Sequence, residues 1–151
     1  SKLKFRLLSS EVGNSEMQHV DKAFALGLVD HFCDSGPSFL TIRGRKYTPE
    51  FSFSVGNHSF ITKSVQTEVD AGYEGQWHVA LIEAKNVKVK DILIRQLYYP
   101  YRQWGHNTGK DVLIILFEKK DDMYHFWQFE FTNPNDYMSI KLLSSVRYIV
   151  N

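Results

Sequence analysis

An acid and an amine stand two residues apart near the end of an apolar run, residues 78–85, with the sequence HVALIEAK. They are Glu83 and Lys85, and because successive side chains of a strand point to opposite faces, both lie on one face. Both faces of the run begin apolar, as in a central strand, where an acid or an amine is unusual unless it is paired, hydrogen-bonded or bound to a metal. The alternative is a weak, solvent-exposed ion pair at a strand end.

Asp70 is the third candidate, and it ends a second run with strand character, residues 65–70. The glycine-containing stretch 71–75 is predicted as a turn that folds this strand antiparallel onto the next. Asp70 and Glu83, with twelve residues between them, would then face one point and offer the oxygen ligands that Mg²⁺ prefers. A bound ion can activate a water, and Lys85 would hold that water and offset charge developing on a phosphate.

The resulting pattern, D-x12-E-A-K, resembles the motif of the PD-(D/E)XK nuclease superfamily, which includes many type II restriction endonucleases. Val69 stands where the nominal motif has proline, a frequent departure in that superfamily. The resemblance implies a restriction-endonuclease-like α/β fold, with a mixed central sheet flanked by helices, that hydrolyses DNA phosphodiesters and leaves 5′-phosphate ends. It implies Mg²⁺ as the cofactor, replaceable by Mn²⁺, with Asp70, Glu83 and the backbone carbonyl of Ala84 as ligands. Lys85 would position or deprotonate the water.

A helix from about Asn14 to Cys33 is predicted by apolar residues that recur at spacings of three and four. In the resembled superfamily an acidic residue on the helix before the core sheet often completes the metal site, and Glu16 is the position that matches. As a catalytic candidate, Glu16 would be a ligand of a second metal or a neighbour of the first. The alternative is a first-turn glutamate that only complements the helix dipole.

A second helix is predicted from about Lys90 to Trp104, kinked or ended by Pro100. Its aromatic, arginine and glutamine side chains are types that stack on bases, bind phosphate and hydrogen-bond base edges. We predict DNA contacts by Arg95, Gln96, Tyr99, Arg102 and Gln103. The alternative is that the aromatics pack on the sheet and the arginines are solvated. Some branches of the superfamily carry a glutamine at this point, as Gln96 does here, but the Gln-to-Tyr spacing of the RecB-like branch is not met.

The remaining elements complete an α/β order. Residues 39–43 are predicted as a strand followed by a basic turn at residues 44–46, where Arg43, Arg45 and Lys46 would contact DNA phosphates or form a solvated hairpin tip. Further strands are predicted at 51–55, 112–117, 124–131 and 146–150, with a polar loop at 105–110 and a short helix starting at Pro134, capped by Asn133. The strand, helix and strand from Val79 to Phe117 suit a right-handed crossover.

Composition predicts one globular domain. The chain has 151 residues, of which 43% are hydrophobic and 23% charged. A net charge of +1 is low for a nucleic-acid binder, but basic residues concentrate between Lys85 and Arg102. No signal peptide and no run of 18 apolar residues is present, so we expect a cytoplasmic protein without a membrane partner. Since the chain starts at Ser1 without Met, it suggests a nuclease domain, residues 1–151, from a longer protein with room for an N-terminal DNA-binding domain.

Other chemistries lack their motifs. The single cysteine, Cys33, excludes a cysteine-based zinc cluster and is predicted to be a core residue. The six histidines form no H-x-x-x-H pair, and no Walker loop, dinucleotide fingerprint or nucleophile elbow occurs. The resemblance implies a Mg²⁺-dependent nuclease, and the stretch rich in aromatic, arginine and glutamine residues favours a type II restriction endonuclease that cuts double-stranded DNA as a homodimer. Two alternatives stay open, a structure-specific repair or recombination nuclease and a catalytically silent DNA-binding module of the same fold.

Overall fold

A six-stranded mixed sheet with helices on both faces forms the body of the protein, in a computed structural model that describes residues 4–9, 16–84 and 94–150. The helices are α1 (Glu16–Ala25), α2 (Leu28–Cys33) and α3 (Ile94–Thr108). The strands are β1 (Ser38–Tyr47), β2 (Phe51–Val55), β3 (His58–Thr62), β4 (Gln66–Gly75), β5 (His78–Ala84), β6 (Asp111–Lys120), β7 (Met123–Phe131) and β8 (Ile140–Ile149). The predicted α/β class and the mixed central sheet flanked by helices are confirmed.

The sheet runs in the order β1-β4-β5-β6-β7-β8, and β2 pairs with β3 in a separate hairpin. Neighbouring strands are antiparallel except β5 and β6, which are parallel and are joined through α3. Parallel neighbours need such a crossover because the chain must return to the edge of the sheet at which the first strand begins. The carboxyl ends of β5 and β6 therefore lie at the same edge.

β5 separates two hydrophobic cores. Ala80, Ile82 and Ala84 pack in the core beneath α1 and α2, whereas Val79 and Leu81 pack in the core beneath α3 and the β2–β3 hairpin. This alternation follows from the two-residue period of a strand. The prediction of a central strand with two apolar faces is confirmed for β5, and it holds for β6 as well.

The single helix predicted from Asn14 to Cys33 is wrong, because the described part of that segment contains two helices. Gly27 lies between them with φ 83°, a left-handed conformation that glycine adopts without the usual steric cost. Cys33 lies at the end of α2, partly buried against the first core, as predicted for a core residue. Burial, reinforced by the nearby charge of Asp30, raises the pKa of Cys33 to about 12, so its thiol stays protonated at neutral pH.

Two predicted turns are wrong because β1 and β4 are long strands. Residues 44–46 lie inside β1, where Gly44 accommodates a shift of register with φ 89°. Residues 71–75 lie inside β4, and the chain reverses at residues 76–77 instead. Four of those five β4 residues are buried, so the segment belongs to the core.

Three other boundaries also differ from the sequence prediction. α3 continues through Pro100 to Thr108, so residues 105–108 are helical where a loop is predicted; the predicted start at Lys90 lies outside the described residues. No helix begins at Pro134: the amide of Asn135 donates to Oδ1 of Asn133, which favours a turn. β8 is longer than the predicted strand, because its N-terminal half pairs with β7 as far as Phe131.

Gly72 allows Ile42 of the neighbouring strand to pack across β4. A Cβ atom at position 72 would lie 2.6 Å from Cβ of Ile42. We therefore expect Gly72→Ala to lower the free energy of unfolding by about 1–3 kcal/mol, the usual cost of overpacking a core. Denaturant titration measures this. Gly105→Ala is the matched control, because its Cβ would meet only a methyl group of Val112 at 3.8 Å and alanine favours the helix. Equal stability of both variants would contradict the packing argument.

Candidate active site

A cleft of about 460 Å³ opens between α1, the N-terminal half of β4, the end of β5 and the first turns of α3. Its lining includes six residues that sequence analysis selects: Glu16, Asp70, Glu83, Arg95, Gln96 and Tyr99. These residues come from four elements that are far apart in the chain. Their convergence makes this cleft the candidate active site.

Asp70 and Glu83 lie side by side on adjacent strands. The pairing of β4 with β5 ends at Ala71 and Ile82, and Asp70 and Glu83 are the residues that adjoin this last pair. Oδ2 of Asp70 accepts a hydrogen bond of 2.9 Å from the backbone N–H of Ala84. The carboxylate of Asp70 is thus tied directly to the strand that carries Glu83.

The sequence predicts that Asp70 ends its strand, but Asp70 lies inside β4, at an irregularity in the pairing with β1. Ile42 pairs with Gly72 and Gly44 pairs with Val69, so that two residues of β4, Asp70 and Ala71, lie against one residue of β1. A bulge of this kind bends the strand and re-aims a side chain, and such bulges are frequent beside active sites. Asp70 therefore lines the cleft from a bulge in the middle of its strand.

Two further glutamates line the cleft. Glu16 lies in the first turn of α1, where its carboxylate also complements the helix dipole, so both readings of this residue agree with its position. Glu68 is a lining residue that sequence reasoning misses. Its position two residues before Asp70 in the same strand is the signal that identifies it, because such residues share a face.

The acidic side chains of the cleft do not make a compact cluster. Among the described residues, no group of three or more His, Cys, Asp and Glu is placed to hold a metal ion. Glu16, Asp70 and Glu83 therefore do not form a three-carboxylate centre. The donors left for a cation at the strand ends are two carboxylates and backbone oxygens.

One wall of the cleft is the exposed side of α3. Arg95 and Gln96 are exposed, and the guanidinium carbon of Arg95 lies 5.1 Å from the centre of the Tyr99 ring, which is a cation–π contact. The sequence predicts that Lys85 acts beside these groups, but Lys85 lies outside the described residues. The wall thus presents a cation, an amide and an aromatic ring to whatever enters the cleft.

Gln103 and Arg102 of α3 point into the protein instead. Gln103 is 1% exposed, accepts a hydrogen bond from Thr67 (2.5 Å) and donates one to the carbonyl of Tyr47 (3.1 Å). Arg102 donates to the carbonyls of Ser52 (2.8 Å) and Pro134 (3.1 Å) and to the hydroxyl of Tyr98 (2.8 Å). These hydrogen bonds join α3 to the strands and to the loop after β7. Gln103 is buried and Arg102 is partly exposed, and the DNA contacts predicted for these two residues stay predictions.

The basic residues of β1 are all exposed but differ in their partners. Arg43 donates to Asp21 of α1 and to the backbone carbonyl of Asp70, and the DNA contact predicted for it stays a prediction. Arg45 and Lys46 are exposed, and Arg45 has only a long contact of 3.8 Å with Glu68. An exposed pair at that distance is weak, so Arg45 keeps most of its freedom.

The comparisons with known proteins give a family for the chain. A family model described as Domain of unknown function (DUF6997) matches residues 1–149. The chain belongs to this family. No curated protein and no solved structure matches it. Among the described residues, no helix has the length and apolar character needed to cross a membrane. An assignment of function therefore depends on the chemistry of the cleft.

Proposed function

We propose that the protein is a Mg²⁺-dependent endonuclease that hydrolyses DNA phosphodiester bonds, of the type II restriction kind. The observation that carries the proposal is that Asp70 and Glu83, on adjacent strands, line one cleft, with the Asp70 carboxylate hydrogen-bonded to the residue after Glu83. The sequence places a lysine, Lys85, two residues after Glu83. Two acids and an amine in this order make up the motif on which the resemblance to PD-(D/E)XK nucleases rests.

The donors at the strand ends fit magnesium. Mg²⁺ keeps several waters and is usually held by one or two carboxylates, so the lack of a third acidic ligand is no obstacle. The N–H of Ala84 points toward Asp70, and in a ladder the N–H and C=O of one residue serve the same neighbouring strand. The carbonyl of Ala84 is therefore a suitable third oxygen, together with Asp70 and Glu83. Mn²⁺ has similar ligand preferences and would substitute.

The side chains have separate roles in the proposed hydrolysis. Mg²⁺, when bound, supplies charge stabilisation at the phosphate and lowers the pKa of a coordinated water. Asp70 and Glu83 would hold the ion, and Lys85 would position or deprotonate the water that attacks phosphorus in line. The bond to the 3′ oxygen would break, the 3′ oxygen would take a proton from solvent, and the phosphate would stay on the 5′ end. Glu16, across the cleft on α1, is proposed to hydrogen-bond waters near the ion.

The proposed DNA surface flanks the cleft on two sides. Arg45 and Lys46 on β1 would bind phosphates on one side, and Arg95 on α3 would bind them on the other. Gln96 and Tyr99 are the residues suited to base edges and base stacking. A net charge of +1 does not oppose this, because Arg95 lines the cleft and Arg45 and Lys46 pair in register with its lining residues Glu68 and Thr67. Cutting both strands of a duplex would be done most simply by a homodimer.

Plasmid digestion tests the proposal. Supercoiled DNA is incubated with the protein and Mg²⁺, Mn²⁺ or EDTA, and the ends are sequenced by run-off. We expect cleavage with either ion, none with EDTA, and fixed positions that carry 5′ phosphates. Cleavage confined to branched or flapped substrates would favour a repair nuclease. Binding of DNA and metal without cleavage would favour the silent module, and the absence of all three would refute the proposal.

A further inference from the structure

Arg43 connects α1 to the bulge in β4 with a single side chain. Its Nη2 donates to Oδ1 of Asp21 on α1 at 2.6 Å, and its Nε donates to the backbone carbonyl of Asp70 at 3.1 Å. The planar guanidinium holds these donors in a fixed relative geometry, so the two contacts are made by one rigid fork. The position of α1 and that of Asp70 are thereby coupled.

The contact with the Asp70 carbonyl lies where regular strand pairing is interrupted. In a bulge the extra residue is left out of the ladder, and its backbone is less constrained than that of its neighbours. Asp70 belongs to the bulged pair opposite Arg43 itself. The side chain of Arg43 thus supplies a hydrogen bond at the point where the backbone of β1 cannot supply a regular one.

The ion pair between Arg43 and Asp21 does not explain the arrangement alone. The two side chains are 39% and 51% exposed, and exposed ion pairs contribute little to stability. Its effect is to orient the guanidinium toward the carbonyl of Asp70. The carboxylate of Asp70, in turn, accepts a hydrogen bond from the N–H of Ala84. Asp70 is therefore fixed at its backbone by Arg43 and at its side chain by Ala84.

We propose that Arg43 is a positioning residue, which fixes the carboxylate of Asp70 for metal binding. The inference rests on the proposed function, since it concerns the same site. Lysine cannot reproduce the role, because one ammonium group cannot satisfy two acceptors with the geometry of the fork.

The N–H of Ala84 provides a readout that does not depend on catalysis. Arg43→Gln is expected to speed hydrogen exchange of the Ala84 amide about 10–100-fold, a factor typical of losing a hydrogen bond to a charged group. Arg43→Lys should give an increase of the same order. The amides of Ile82 and Ile115, deep in the sheet, should keep their rates. Arg147→Gln, which removes an exposed arginine from β8 at the far edge, is the control and should change none of the three.

Metal affinity is the second readout. Calorimetric titration with Mn²⁺ is expected to show about 10–100-fold weaker binding in Arg43→Gln, the usual effect of removing a group that orients a metal ligand. Excess Mn²⁺ should then restore cleavage.

Unchanged Ala84 exchange, or equal acceleration at Ile82 and Ile115, would overturn the positioning role. If the unaltered protein neither binds Mn²⁺ nor cleaves DNA, the proposed function fails, while the exchange experiment still decides whether Arg43 holds Asp70.

Discussion

Asp70→Asn is expected to lower the rate of metal-dependent DNA cleavage by at least about 10³-fold, because a bound ion contributes several kcal/mol and each ~1.4 kcal/mol is a factor of ten. The amide oxygen of asparagine can still accept the hydrogen bond from the N–H of Ala84, so the fold should be retained. Only the charge is lost. Initial rates of plasmid nicking at saturating Mg²⁺ measure the effect, and Glu83→Gln should have an effect of the same order.

Asp111→Asn is the matched control for this prediction. Asp111 is an exposed carboxylate at the amino end of β6, paired in register with His78 at the far end of β5 from Glu83. The substitution makes the same chemical change outside the cleft, and cleavage should stay close to that of the unaltered protein. Near-normal cleavage by Asp70→Asn would remove that carboxylate from the mechanism.

Lys85→Ala separates metal binding from chemistry. If the lysine acts on the attacking water, the heat of Mn²⁺ binding should persist while cleavage is lost. In Asp70→Asn both the heat of Mn²⁺ binding and DNA cleavage should disappear. A calorimetric titration beside each cleavage assay distinguishes the two patterns, and loss of metal binding in Lys85→Ala would assign the lysine a structural role.

The central strands and the main acidic pair are predictable because both depend on local patterns. β5 and β6 are apolar on both faces, which few elements other than a central strand can be. Once two such strands are adjacent, the alternation of side chains decides which residues share a cleft. Asp70 lies on β4, and the hairpin between β4 and β5 brings it close to Glu83, although the chain reverses at residues 76–77 and not at 71–75. Arg95 and Gln96 follow because the helix after β5 must cross beside its carboxyl end.

The turns predicted at residues 44–46 and 71–75 are wrong because a glycine can form a turn, mark a bulge or make room for a neighbouring side chain. Gly72 and Gly75 suggest a reversal of the chain, but in the fold they make room for the side chains of Ile42 and His78. Gly44 marks a bulge rather than a hairpin tip. Whether a glycine serves a turn or a close approach depends on the neighbouring strand, which a single sequence does not supply. The bulge at Asp70 is unpredictable for the same reason.

The division of α3 into a side that lines the cleft and a side that packs inward is also beyond the sequence. Gln96 and Gln103 are the same residue type, yet one lines the cleft and the other is buried. Burial of Gln103 is tolerated because Thr67 and the carbonyl of Tyr47 satisfy its amide. Those partners belong to strands more than thirty residues earlier. Composition alone therefore assigns both glutamines to the surface.

Tyr98→Ala is expected to lower the free energy of unfolding by about 3–5 kcal/mol, the range for removing a large aromatic side chain from a core. Tyr98 is fully buried, and its ring lies 4.9 Å from that of Phe131, 5.2 Å from Tyr137 and 5.5 Å from Phe53. These contacts hold α3 to β7, to the following loop and to the β2–β3 hairpin. Denaturant titration followed by circular dichroism measures the loss.

Tyr98→Phe isolates the hydroxyl from the ring. The hydroxyl donates to the carbonyl of Pro134 at 2.7 Å, and burial raises the pKa of Tyr98, so it remains a donor at neutral pH. The hydroxyl also accepts a hydrogen bond from Arg102 at 2.8 Å, so its loss removes two hydrogen bonds and should cost about 1–3 kcal/mol. Because the ring still anchors α3, which carries Arg95 and Gln96 to the cleft, Tyr98→Phe should keep its cleavage activity. A loss below 1 kcal/mol in Tyr98→Ala would mean that other contacts hold this wall of the cleft in place.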